Sequence, residues 1–147
     1  MLGLAACELV DPEVTQEITP SKLLGGAAGP LEHSALPSQE WRVALPGTPE
    51  AIFLERVVLT ADRDLSFLRS IRFSVEPIDP ASGLGRKLVA WSNAAPRGTV
   101  LELETARALD ITPWVVEGLR LVPEVAGTVP PADVTVAGEA LLQVDLL

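Results

Sequence analysis

The chain has 147 residues, 48% of them apolar, and a formal net charge of −9. That is one domain's length with enough apolar content for a core, which argues against wholesale disorder. The acidity disfavours nucleic-acid and anionic-lipid partners, and no apolar run reaches the roughly 18 residues that cross a bilayer.

In chain order, the first feature is Leu4-Ala5-Ala6-Cys7, which carries the only cysteine. One cysteine allows neither an internal disulfide nor a cysteine-built zinc site. An aliphatic residue, two small residues and a cysteine resemble the lipobox of bacterial lipoproteins. The resemblance covers four residues. It implies a diacylglyceryl group on Cys7, cleavage before it, and a protein held in the cell envelope by that lipid, on the outer-membrane, periplasmic or surface side. Residues 1–7 are then the remnant of a signal peptide. A basic stretch and an apolar run of about 7–15 residues are expected upstream. The competing reading is a cysteine packed as a small hydrophobe.

Residues 8–40 hold Pro12, Pro20, Pro30 and Pro37, with Gly25, Gly26 and Gly29. Proline interrupts regular elements and glycine loosens them. The stretch reads as a tether, partly docked through Ile18, Leu23, Leu24 and Leu31. His33, the only histidine, lies here, where no frame would hold an imidazole for catalysis or metal binding.

From Trp41 the pattern becomes the alternation of half-buried strands. Trp41, Val43 and Leu45 alternate with Arg42 and Ala44, and "PGTP" at 46–49 turns the chain. Residues 51–60, "AIFLERVVLT", predict a strand, with a helix capped at Thr48 as the alternative. Ile71, Phe73 and Val75 share a face. The loop "DPASGLG" (79–85) leads into a strand at 86–92, and "APRG" (95–98) leads into Leu101 and Leu103. Leu119, Leu121 and Val125 form the next apolar face. The last run, Val134 to Leu146, alternates longest, with Gly138 marking a bulge or bend. Two similar segments, 64–73 and 110–121, each predict a single helical turn capped by Asp64 or Ser66 and by Asp110 or Thr112.

The expectation for residues 41–147 is an all-β domain: an antiparallel β-sandwich of about seven strands with one or two single-turn helices. In layout it is similar to small immunoglobulin-like or transthyretin-like sandwiches. Chemistry is sparse. Asp62-Arg63-Asp64 lacks the further oxygen ligands and closing Glu of a calcium loop. "GGAAG" (25–29) and "GLGRK" (83–87) match neither a phosphate loop nor a dinucleotide fingerprint. Paired carboxylates cannot be recognised by spacing alone. Trp41, Trp91 and Trp114 remain as ligand or interface candidates, each also a natural core anchor. No cofactor and no enzyme activity is expected. The expected role is a structural or protein-binding module whose partner is an envelope protein and whose membrane contact is the lipid. The alternative is a carbohydrate-binding module stacking a glycan on exposed tryptophans.

Overall fold

A computed structural model describes residues 12–92 and 96–147. The protein is all-β. Its strands are β1 (Glu13–Leu23), β2 (Gln39–Trp41), β3 (Pro49–Ala61), β4 (Leu68–Pro77), β5 (Lys87–Ser92), β6 (Val100–Thr105), β7 (Leu119–Gly127) and β8 (Val134–Leu146). One short helix, α1 (Thr112–Glu117), and a 3-10 turn (Pro80–Ser82) complete it. The strands form one nearly closed antiparallel sheet in the order β1-β8-β3-β6-β5-β4-β7-β2.

Each strand follows from its alternation. In β8, Val134, Val136, Ala140, Leu142 and Val144 are buried, whereas Thr135, Leu141, Gln143 and Asp145 are half-buried on the other face and Glu139 is exposed there. Their burial joins that of Ile52, Leu54, Val57 and Leu59 from β3 and Ile71, Phe73 and Val75 from β4 in one core. Each such side chain removed from water contributes about 1.5–3 kcal/mol. Gly138 sits at the inward position where β3 comes close. A Cβ there would lie 2.5 Å from the Val58 carbonyl oxygen and 3.0 Å from a Leu59 methyl.

Two expectations change. Residues 13–23 are not tether but the first strand of the sheet, paired with β8 from Glu13↔Gln143 to Leu23↔Val134. Val14, Gln16 and Ile18 turn inward. The ladder then shifts register between Ile18 and Ser21, so Pro20 stands in a bulge where no ladder amide is needed. Leu23, Leu31 and Leu36 are buried, while Leu24 is 68% exposed. Residues 29–33 also run beside β7, with the Leu31 amide donating to the Gly127 carbonyl and the Val125 amide to the His33 carbonyl. The domain therefore takes in most of 8–40. The second change is at Trp41, which ends β2 instead of opening a strand through Leu45.

The turn at Asp64 is a single one, closed by the Leu68 amide on the Leu65 carbonyl, and it leads directly into β4. At α1, Pro113 stands in the first turn. The Asp110 carboxylate accepts from the Thr112 amide and hydroxyl and from the Ile52 amide of β3. Burial pushes the Asp110 pKa up, but these donors outweigh it, and the net displacement from the ordinary 3.8 is downward. A carboxylate with a lower pKa folded than unfolded stabilises the fold above the unfolded value. It loses that contribution as pH falls through the folded one. Because the carboxylate is exposed and its hydrogen bonds are screened by solvent, Asp110→Ala should cost about 1 kcal/mol or less at pH 7. Urea melts of the two proteins should converge in strong acid.

Candidate functional site

Among the described residues no group of three or more His, Cys, Asp or Glu could hold a metal ion, and no helix is long and apolar enough to cross a membrane. Cys7 lies outside the described residues. The acids of 62–64 have structural work. Asp62 accepts from the Thr135 amide at 2.9 Å, and Asp64 accepts from the amides of Ser66 at 2.7 Å and Gly98 at 3.1 Å. Hydrogen bonds from the Ser66 side chain, then the Ser66 and Gly98 amides, hold the Asp64 pKa below its usual value.

The tryptophans do not assemble into one surface. Trp41, 3% exposed, is inside, and its indole N–H has no partner among the described residues. Trp114, 7% exposed, is inside too, with its Nε1–H donating to the Gly85 carbonyl at 2.8 Å. Trp91 alone is half-buried, and its Nε1–H reaches the Glu104 carboxylate at 2.9 Å. Two strands, β4 and β7, stand between β5 and β2, so Trp91 and Trp41 are three strand spacings, about 14 Å, apart across the sheet, and the register sets them further apart along the strands. A stacking face for sugar rings would have at most one ring.

What the fold does organise is the outer face of β1, β8 and β3. Register places Glu17 opposite Glu139, and Glu139 opposite Val58. The neighbouring rows are Thr15, Leu141 and Arg56, then Glu13, Gln143 and Phe53. Two merging shallow depressions of about 370 and 560 Å³ lie on this face, both bordered by Thr15, Val58 and Glu139. Arg56 is engaged at 2.9 Å by Glu102 of β6. Glu13, Glu17 and Glu139 have no ion-pair partner among the described residues.

The outer face around β4 and β7 is arranged differently. There Arg86 bridges Glu76 (3.1 Å) and Glu124 (3.3 Å), and Arg120 bridges Glu40 (3.8 Å) and Glu76 (3.6 Å). These pairs are solvent-exposed or nearly so, and each contributes little to stability. Two arginines there offset most of the charge of three glutamates, whereas Glu13, Glu17 and Glu139 on the β1–β8 side have no such partner among the described residues.

The seam between the outer edges of β1 and β2 is closed by one side chain. The Gln39 amide oxygen accepts from the Thr19 amide at 2.8 Å, and its nitrogen donates to the Thr19 carbonyl at 2.8 Å and to the Ser21 hydroxyl at 3.3 Å. A carboxamide here does what a strand residue would do. Nothing in the sequence spacing of 19 and 39 announces this pairing. The acidic face was equally hidden, because Glu17 and Glu139 meet only through the β1–β8 register. No protein-family model matches the chain, and no curated protein sequence matches it.

Proposed function

We propose that this is a lipid-anchored envelope protein whose β domain works by binding another protein, without catalysis. The lipobox-like Leu4-Ala5-Ala6-Cys7, with five residues between Cys7 and the first strand, carries the reading. Those five residues reach at most about 18 Å, so the anchor would hold the domain close to the headgroups instead of on a long stalk. The net charge of −9 would then keep the domain from lying flat on an anionic surface.

The domain is read as a sandwich of two four-stranded layers, β1-β8-β3-β6 and β5-β4-β7-β2. Among the described residues the join between β5 and β6 is two residue pairs, Ala90↔Thr105 and Trp91↔Glu104, and the other seam is the Gln39 amide. A rigid two-layer body of this kind offers its edges and outer faces to partners.

Intact-mass analysis of the protein expressed with its upstream coding region tests the anchor. The expected product begins at Cys7 and carries a diacylglyceryl group, and Cys7→Ser abolishes the lipid. An unmodified chain that retains Met1 would refute the reading.

A further inference from the structure

We infer that the outer edge of β1 is a docking site for an extended basic segment of a partner protein, added as a further strand along Glu13–Glu17. The inference rests on the binding role proposed above and names the chemistry of the partner.

The edge is open by the logic of antiparallel pairing. Backbone groups of alternate residues point to opposite sides of a strand. The Val144 amide donates to the Pro12 carbonyl at 3.0 Å, so in the β1–β8 register Val14, Gln16 and Ile18 also turn their backbone groups toward β8. Glu13, Thr15 and Glu17 turn theirs away, and all three residues are exposed. The only contact made to these outward groups among the described residues is a long one, from the Gln16 side-chain Nε2 to the Glu17 carbonyl at 3.4 Å. The next outward residue, Thr19, shows what such an edge accepts. Its amide and carbonyl are both taken by the Gln39 carboxamide. Among the described residues the edge is amide-paired at 19 and unpaired from 13 to 17.

Charge selects the occupant. Glu13 and Glu17 flank Thr15, and Glu17 faces Glu139 across the ladder. Opposite charges across a ladder attract and like charges repel. A second copy of β1 laid antiparallel about Thr15 would set Glu13 against Glu17 twice, which opposes self-assembly. A strand with Lys or Arg opposite Glu13 and Glu17 meets both carboxylates. These lie four residues apart, about 13 Å along a strand, against about 6 Å for the same spacing on a helix. The partner segment is therefore extended, with basic residues at i and i+4. It also needs its own amides, so proline is excluded from the paired stretch.

The test uses the unlipidated chain, so its failure would leave the Cys7 anchor standing. Two fluorescent nine-residue Thr/Val peptides of equal composition carry two lysines, at positions 3 and 7 in one and 3 and 6 in the other. The first should bind at least tenfold more tightly and slow hydrogen exchange at the Glu13, Thr15 and Glu17 amides. Thr15→Pro removes one outward N–H and leaves the bonds to β8 in place, so it should weaken binding at least tenfold. Combining Glu13→Lys with Glu17→Lys should transfer the preference to a peptide with glutamates at 3 and 7. Equal affinity for the two lysine peptides would overturn the inference, as would full binding by Thr15→Pro or a dimer with a protected Thr15 amide. Should Thr15→Pro not fold, the lysine-spacing comparison on the wild-type chain decides alone.

Discussion

Gly127→Ala is expected to lose about 3–5 kcal/mol, a large part of the roughly 5–15 kcal/mol that holds a domain of this size together. Gly127 ends β7 with φ +151, a conformation that side chains of L residues rarely adopt. A Cβ would also lie 2.1 Å from the Phe67 carbonyl oxygen and 3.0 Å from the Arg69 nitrogen, both backbone atoms that cannot rotate aside. Relief requires moving the start of β4, which pairs with Gly127 through Leu68. It also requires moving the 29–33 segment, because the Leu31 amide donates to the Gly127 carbonyl at 3.0 Å. Three segments are displaced by one methyl. Gly26→Ala is the control, since a Cβ there meets nothing within 4 Å and φ is not positive. It should change stability by only a few tenths of a kcal/mol, in the stabilising direction. Urea unfolding of the three proteins measures both. A Gly127→Ala midpoint equal to that of wild type would contradict the backbone account.

Leu142→Ala should cost about 3–4 kcal/mol. Leu142 is fully buried in β8, which is paired on both sides, to Val14 of β1 and Leu54 of β3. Both flanking strands are hydrogen-bonded to β8, so the layer cannot close around the missing atoms and a cavity stays. Leu141, one position away, faces the outer side and is half-buried. Leu141→Ala should cost about 1 kcal/mol or less, because solvent replaces the lost contacts. The pair measures the facing of β8 directly: one residue of register exchanges the core side for the solvent side. Costs of similar size at 141 and 142 would mean that both faces of β8 are covered.

Most strands were legible in the sequence because their apolar residues alternate. The runs at 51–60, 71–76, 101–104, 119–125 and 134–146 all fall within observed strands, and the run at 86–92 begins one residue before β5. The chain does turn after Asp64 and forms a short helix after Asp110, but the first is a plain turn and not a helical one, and the helix is N-capped by Ile111 without a side-chain bond instead of by Asp110 or Thr112. β1 was not legible. Its inward positions include Gln16 and Ser21, which dilute the apolar signal, and Pro20 reads as a breaker unless the bulge that shelters it is known. The order of strands, and with it the meeting of Glu17 with Glu139, depends on pairing partners far apart in the chain. Local alternation carries no record of that. The Gln39 closure escaped for the same reason, and Trp41 read as a strand opening because the register of β2 on β7 fixes its end.

The pairing of β1 with β8 bears on how the molecule comes into being. Glu13 and Gln143 are about 130 positions apart, so β1 is synthesised well before its ladder partner β8. A nascent chain stopped before residue 134 lacks the ladder partner of β1 and, among the described residues, can hydrogen-bond it only through the Gln39 amide of β2. Such long-range closure slows folding, because the entropy of closing the loop is lost before the ladder forms.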